Sequence, residues 1–189
     1  MSKKRTLNRD KVIEKAAELA DEAGRPDVVT LTALAAALNV RVPSLYNHIS
    51  SLDDLQAGLS LYGGRLLIGR LREATLGQVG QEAILSLTQA YRCFAHDHPG
   101  LYPLLLRAPD LDDTQGTAVA GELLQLFLLL LASYGIQGDD ALHAIRGLRA
   151  VVHGFISLEA AEAFKMHIEA DESYRRAVET FMRGLERKA

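Results

Sequence analysis

Apolar residues recur at helical spacing along almost the whole chain, and this periodicity is the feature that most limits its possible folds. Positions three and four residues apart share one face of an α-helix, whereas a half-buried strand alternates apolar and polar residues. No stretch of the sequence alternates in that way between hairpin turns. The pattern predicts an all-α protein with about nine helices, and 189 residues, 48% of them apolar, suffice for a buried core.

Capping residues and chain breaks divide the sequence into these helices. Asn8 can cap the N-terminus of the first helix, and Gly24 suits its C-terminal end. Thr30 can cap the second, and Asn39 tolerates the left-handed conformation of a tight turn before the third. The predicted helices are 9–23, 31–38, 43–48, 52–73, 78–97, 100–107, 113–134, 139–164 and 172–187.

The second and third predicted helices, joined by a tight turn and resting on the first, have the pattern of a helix-turn-helix. Their apolar positions can close a small core with the first helix: Leu34, Leu38, Val40, Leu45 and Ile49. The remaining side chains of the third helix lie wholly or partly outside: Arg41, Val42, Ser44, Tyr46, Asn47 and His48. Such polar groups can reach phosphate oxygens and base edges of DNA. An ordinary surface helix is the alternative interpretation.

Charge is distributed unevenly along a chain whose net charge is -3. Residues 1–50 carry eight Lys and Arg against six Asp and Glu, and the remainder carries thirteen against eighteen. The N-terminal arm, with Lys3, Lys4 and Arg5, suits attraction to a polyanion, although a solvated terminus would have the same composition.

Other bulk features predict a cytoplasmic protein that does not cross a membrane. Cys93 has no second cysteine to pair with, and no apolar stretch follows the basic N-terminus as it would in a secretory signal. The apolar run 123–132 is shorter than the roughly 20 residues that a membrane helix needs.

Two motifs resemble a known family of bacterial regulators. The stretch that looks like the DNA-binding domain of the tetracycline-repressor (TetR) family covers roughly residues 8 to 60 and contains "VTLTALAAALNVRVPSLYNHISSLDDLQAGL". The C-terminal domain of one branch of that family, which contains His-Gly, is similar to "LRAVVHGFISLEAAEAF". The resemblance implies a helix-turn-helix DNA-binding domain over 1–50 and a helical ligand-binding and dimerisation domain over 51–189.

The family pattern implies a role for each matching residue of the predicted helix-turn-helix, which we call the reading head. Phosphates would be held by Thr32, Tyr46 and His48, and base edges would be approached by Arg41, Val42, Ser44 and Asn47. Pro43 and Ser44 would form a surface for a thymine methyl group. Two positions depart from the family: Arg41 replaces a common serine, and Leu52 replaces a common lysine that would contact a phosphate.

One helix-turn-helix reads few base pairs, so such proteins bind inverted half-sites as dimers. The last two predicted helices are the candidates for the dimer interface, and the resemblance implies the same pairing. Their apolar residues are Leu142, Ile145, Leu148, Val152, Phe155, Ile156, Tyr174, Val178, Phe181, Met182 and Leu185. The alternative is that these residues form the core of a single protomer.

Between the reading head and these helices, apolar side chains can wall a cavity for a small, mostly hydrophobic ligand. The candidates are Tyr91, Phe94, Tyr102, Leu105, Leu124, Phe127 and His153. Alternatively, these apolar side chains pack in the protein core without enclosing a cavity, and His153 is a core histidine with a hydrogen-bond partner inside the protein. These features predict a dimeric repressor that leaves a palindromic operator when an effector binds.

Two other classes of protein compete with this prediction. An enzyme or metal protein could use Cys93 and His96, which lie three residues apart on one helix face, but no third ligand stands at a diagnostic distance. The sequence shows no phosphate-cradling glycine loop, His-Glu-x-x-His motif or nucleophile elbow, and it indicates no catalytic residue, cofactor or metal. A helical interaction module without DNA binding is the second competitor.

Overall fold

The computed structural model of the chain describes residues 7–110 and 112–186. These residues form the α-helices α1 (Arg9–Ala23), α2 (Leu31–Ala37), α3 (Val42–Leu45), α4 (Leu52–Thr75), α5 (Gly80–Asp97), α6 (Thr114–Ala132), α7 (Gly138–Ala160) and α8 (Ala170–Glu186). Short 3-10 helices occupy Pro26–Val28 and Tyr102–Leu105. The all-α prediction is confirmed, with eight α-helices in the described part of the chain instead of about nine.

Local capping explains why the first helices begin and end where the sequence predicts. The Asn8 side chain accepts a hydrogen bond from the Lys11 amide at 3.0 Å. Gly24 adopts a left-handed conformation with φ of 70° and closes α1. The Thr30 hydroxyl accepts from the Ala33 amide at 3.2 Å and starts α2. These contacts satisfy amides and carbonyls that a helix end leaves unpaired.

The α-helix predicted for residues 100–107 is wrong, and this segment is instead held to α1 by hydrogen bonds from its backbone. Asp21 in α1 accepts hydrogen bonds from the Gly100 and Leu101 amides at 3.0 and 3.2 Å. Pro103 has no amide hydrogen to donate. The helical part of the segment is the 3-10 helix Tyr102–Leu105, with the proline in its first turn.

The chain divides into two compact units, each made of two separate stretches of sequence. One unit consists of the chain up to Leu67 together with Ala95–Ala120, and the other consists of Ile68–Phe94 and the chain from Gly121 onward. α4, α5 and α6 each contribute residues to both units. The segment around Gly100 belongs with the N-terminal unit because it is bonded to α1.

The contact between α1 and this segment is close at backbone level. His98 Nδ1 lies 2.7 Å from Asp21 Oδ2. A Cβ atom added at Gly100 would stand 2.1 Å from the carbonyl carbon of Ala20. Glycine is therefore required here by space, not by an unusual backbone angle.

The C-terminal unit is organised around a buried arginine in α5. The Arg92 side chain is 7% exposed, and its Nε donates to Glu159 of α7 at 2.8 Å while Nη1 donates to Asp171 of α8 at 2.9 Å. The guanidinium carbon lies 4.8 Å from the ring centroid of Tyr174, whose hydroxyl donates to the Thr88 carbonyl at 2.6 Å. These bonds, led by the pair with Glu159, raise the pKa of Arg92 and tie three helices together.

α6 contains the apolar run 123–132. The helix has 19 residues, longer than the run 123–132, and its length and composition would allow it to cross a membrane. A single helix of this kind is weak evidence for a membrane segment. Only 11% of its most apolar window is buried in the protomer, where Phe127 and Leu131 face inward and Leu129 is 69% exposed.

We expect Gly100→Ala to lower the free energy of unfolding by about 1–3 kcal/mol, because the added methyl group collides with the α1 backbone. Gly69→Ala in α4 is the matched control: an added Cβ meets no described atom within 4 Å, so it should be neutral or stabilising by up to about 1 kcal/mol. Urea denaturation measures both changes. Equal effects of the two substitutions would mean that α1 and Gly100 are not in contact.

Candidate nucleic-acid interface

The turn between α2 and α3 has the backbone geometry of a helix end that reverses sharply. The Val40 amide donates to the Ala35 carbonyl at 2.9 Å, and the Asn39 amide donates to the Ala36 carbonyl at 3.0 Å. Asn39 has φ of 54°, in the left-handed region that asparagine tolerates. This turn directs α3 away from the axis of α2.

Two apolar anchors hold the segment after that turn. Leu45 is fully buried and Ile49 is 1% exposed, and both lie in the unit that contains Leu34 of α2, also fully buried. Leu38 and Val40, which the sequence also assigned to this core, are only half-buried. α3 ends after one turn, at Leu45, and the His48 and Ile49 amides both donate to the Leu45 carbonyl.

The predicted DNA-contacting side chains remain accessible around these anchors. Thr32, Arg41, Pro43, Tyr46 and Asn47 are exposed, and Val42, Ser44 and His48 are half-buried. Tyr46 is 55% exposed, which is unusual for a large aromatic residue without a partner to contact. We call the accessible side chains of residues 41–48 the rim, and their contact with DNA, like that of Thr32, stays a prediction. Lys3, Lys4 and Arg5 lie outside the described residues.

Both departures from the family pattern are visible at the rim. Arg41 occupies the N-cap position of α3 with φ of -86° and ψ of 147°, and its side chain makes no capping hydrogen bond. The Arg41 guanidinium therefore does not cap α3. Leu52, at the start of α4, is 44% exposed.

An ion pair that the sequence did not predict links three elements of this unit. Arg9 of α1 donates to both carboxylate oxygens of Asp54 in α4, at 2.6 and 3.0 Å, and to the His48 carbonyl at 3.1 Å. Asp54 also accepts from the amide and hydroxyl of Ser50 at 2.7 and 3.1 Å. We call these four residues the Arg9–Asp54 clamp. Ser and Asp residues before and in the first turn of a helix are a common capping pattern, but nothing local indicates the distant arginine.

The clamp strongly favours the ionised carboxylate. The hydrogen bond from Arg9 lowers the pKa of Asp54 from 3.8 to about 2, partial burial opposes this shift, and the Ser50 bonds add to it. Because Asp54 binds protons less readily in the folded state, the clamp stabilises the protein above about pH 4 and loses this effect as the pH falls toward 2.

The predicted ligand-binding residues do not all share one cavity. Tyr91 and Phe127 line a small cavity of about 10 Å³. Phe94 is fully buried, Leu124 is 37% exposed, and His153 Nε2 lies 3.5 Å from the Ser157 hydroxyl. Tyr102 and Leu105 belong to the other compact unit and take no part in this cavity.

Most of the predicted dimer-interface residues are buried within the protomer, and their contact with a partner stays a prediction. α7 packs against α8, and the residues that form the core of this unit are Ile145, Leu148, Val152, Ile156, Tyr174, Val178 and Met182. Leu142 is 38% exposed, and Phe155, Phe181 and Leu185 are half-buried. The wholly buried members match the alternative that the sequence left open, because one apolar stripe can serve a core or an interface.

The cysteine and histidine motif of α5 does not assemble into a metal site. Cys93 is exposed, and its Sγ lies 3.6 Å from the Gln89 side-chain nitrogen. His98 is bonded to Asp21. Over the ranges 7–110 and 112–186, no group of three His, Cys, Asp or Glu side chains is arranged to hold a metal ion.

Comparisons with known proteins identify relatives over nearly the full length. The family model described as "Tetracyclin repressor-like, C-terminal domain" matches residues 84–181. The uncharacterised HTH-type transcriptional regulator YobS of Bacillus subtilis strain 168 is 37% identical over 186 residues, covering 98% of this chain and 96% of its own.

Solved structures show the same fold. A protein of unknown function from Rhodococcus sp. RHA1 has a TM-score of 0.82 at 22% identity, with 98% of this chain and 100% of that chain covered. A TetR variant from Acinetobacter baumannii AYE in complex with minocycline has a TM-score of 0.72 at 21% identity, with 97% and 98% covered.

We expect Asp54→Asn to lower the free energy of unfolding at pH 7 by about 1 kcal/mol, a value reduced for the partial exposure of the pair. The difference from the parent protein should shrink as the pH falls from about 4 toward 2, since the parent's Asp54 carboxyl group is then neutral, as the substituted amide is at every pH. Asp53→Asn, on the exposed neighbour, should change stability by less than about 0.5 kcal/mol. A loss that is independent of pH would exclude an ionic role for Asp54.

Proposed function

We propose that this chain, which belongs to the tetracycline-repressor-like family of HTH-type transcriptional regulators, is a dimeric cytoplasmic repressor released from a palindromic operator by a small, mostly hydrophobic ligand. The observation that carries the proposal is the accessible polar rim of residues 41–48 above a buried apolar underside. A rim of this chemistry on a helix-turn-helix fits the major groove of double-stranded DNA.

Two kinds of contact would be made by the rim. Thr32, Tyr46 and His48 would hold phosphates, which position the protein, whereas Arg41, Val42, Ser44 and Asn47 would approach base edges. The exposed Pro43 with Ser44 offers an apolar surface for a thymine methyl group. Arg41 adds a cation that can grip a phosphate or donate to guanine, and the arm with Lys3, Lys4 and Arg5 would compensate for the contact that Leu52 cannot make.

Pairing through α7 and α8 would supply the second reading head. Regulators of this family are typically dimers. With the apolar stripe of both helices buried inside the protomer, the partner would contact their outer surface. Gly154 lies on that side of α7, where an added Cβ would meet no described atom within 4 Å, and Leu142 and Leu158 are 38% and 48% exposed. Small and apolar residues of this kind allow two helix pairs to approach closely.

The effector would occupy the C-terminal unit, at the cavity lined by Tyr91 and Phe127. The binding of minocycline by a protein of the same fold supports a ligand-responsive role for this body. A cavity of about 10 Å³ holds at most one water molecule, so an effector must bind a conformation in which these helices have separated.

Release from DNA would then follow from differential affinity. α4 is continuous from Leu52, beside the reading head, to Thr75 in the C-terminal unit. If the effector prefers a conformation in which the two reading heads no longer match successive grooves, a coupling of about 1–3 kcal/mol would weaken operator binding roughly 5- to 150-fold.

Substitutions at the rim separate the two kinds of contact. Tyr46→Ala should weaken binding to most DNA sequences by a similar factor, because a phosphate contact carries no sequence information, whereas Asn47→Ala should change the preference at particular bases. Gln81→Ala, on the exposed face of α5, is the control and should change neither. Selection of bound sequences from a random pool measures both effects. Unchanged affinity and preference in both rim variants would exclude α3 as the reader.

A cation at Gly154 should break the proposed dimer without unfolding the protomer. Gly154→Arg places its Cβ in open space, so helix content by circular dichroism should be kept while sedimentation shows a shift from dimer to monomer. Gly69→Arg in α4, also in open space, should leave the dimer intact. A dimer that survives Gly154→Arg would place the interface elsewhere.

A further inference from the structure

A second cavity of the C-terminal unit lies between α5 and the start of α8. Its volume is about 810 Å³, within the range of sites that hold small molecules, whereas the cavity lined by Tyr91 and Phe127 has about 10 Å³. Thr88 is the one residue that lines both. The larger cavity is open to solvent, so a ligand can enter it without separation of the helices.

Most of the accessible lining of this cavity is apolar. Ala74 contributes from the end of α4, and Leu85 and Ala90 contribute from α5. Tyr174 of α8 is 2% exposed, and its hydroxyl donates to the Thr88 carbonyl at 2.6 Å, which holds the α8 wall against α5. The cavity therefore offers fixed walls to the apolar body of a ligand.

Carboxylates predominate at the α8 wall. Glu169, Asp171 and Glu172 line the cavity together with one cation, Arg175. Arg175 is already paired with Glu172 at 2.8 Å and with Glu179. Glu169 is exposed, and its side chain has no hydrogen bond or ion pair to any residue that the structure describes. Its carboxylate is thus available to a ligand.

The local balance of charge is negative. Arg92, behind this wall, pairs with Glu159 and Asp171, and Arg176 pairs with Glu172. Five carboxylates therefore accompany three guanidinium groups here: Glu159, Glu169, Asp171, Glu172 and Glu179, with Arg92, Arg175 and Arg176. The N-terminus of α8 adds the equivalent of about half a positive charge, which leaves an excess of negative charge.

We infer that this cavity is a binding site for an amphipathic cation, with the apolar body of the ligand against α5 and an alkylammonium or comparable group beside Glu169 and Asp171. An anionic headgroup would meet the excess of carboxylates, and a neutral headgroup would gain no coulombic attraction. The site is additional to the cavity of the proposed effector, and it does not depend on the binding of DNA.

Cys93 makes the occupancy of this cavity measurable in the unmodified protein. It is the one cysteine of the chain, it is exposed, and it lines the cavity. Iodoacetamide, which is small and neutral, should alkylate the thiol of the full chain, and a bound ligand should slow this reaction. Protection as a function of ligand concentration gives an affinity, which calorimetry can check.

Three probes with the same alkyl chain test the headgroup: decyltrimethylammonium, decanol and decanoate. At low ionic strength the cation should bind about threefold more tightly than decanol and about tenfold more tightly than decanoate, as expected for attraction between partly exposed charges. Both preferences should decrease as salt is added, because salt screens exposed charges.

Substitutions of exposed acids test the position of the headgroup, with calorimetry as the measurement. Glu169→Gln should lower the preference for the cation over decanol to less than about twofold, and Glu169→Lys should make decanoate the better of the two charged probes. Asp139→Asn is the matched control, since Asp139 is exposed at the start of α7 and does not line the cavity. It causes the same change of net charge and should leave the preferences unchanged.

Several results would overturn the inference. A Cys93 thiol that does not react in the ligand-free protein would mean that the cavity is closed in solution. Equal protection by the three probes, or protection by none, would exclude a cation site. An equal loss of preference in the Asp139 and Glu169 variants would attribute the attraction to net charge alone. None of these results bears on DNA binding, so the proposed function is tested separately.

Discussion

The recognition segment depends on tertiary anchors because it is too short to hold its own shape. α3 has four residues, and an isolated helix of that length is unstable in water, since nucleation fixes several backbone angles for one hydrogen bond. Burial of Leu45 and Ile49 in the core stabilises the segment. The Arg9–Asp54 clamp holds its end, because Arg9 donates a hydrogen bond to the His48 carbonyl. With its shape fixed from beneath, the segment can leave Tyr46 and Asn47 accessible. The order of polar and apolar residues over positions 41–49 is therefore the physical basis of the proposed reading head.

Those parts of the fold that local chemistry decides could be predicted from the sequence. Asn8 and Gly24 mark the ends of α1, and Thr30 marks the start of α2, because each satisfies backbone groups within its own turn. The exposure of the rim followed from apolar spacing alone. The family resemblance assigned roles to particular rim residues, which no contact within one protomer can test.

Other features escaped prediction because they depend on residues distant in sequence. Asp21 accepts hydrogen bonds from the Gly100 and Leu101 amides about 80 residues later, and Arg92 pairs with Glu159 and Asp171 across three helices. One indication of the Arg92 ion pairs is present in the sequence: an arginine stands next to Tyr91 on the buried face of α5. The stripe of α7 was ambiguous for another reason: burial in a core and burial against a partner require the same residue types. Gly147 shows the difference, since an added Cβ there would stand 2.6 Å from the Phe181 ring, whereas Gly154 faces open space.

The central claim is that the rim of residues 41–48, together with basic residues, binds the phosphate backbone of DNA. Retention of a promoter-length duplex by the ligand-free protein, measured over a salt series, tests it most directly. We expect the logarithm of the affinity to fall linearly and steeply with the logarithm of the salt concentration, because each neutralised phosphate releases counterions. Affinity that does not change with salt, or no retention at low salt, would contradict it.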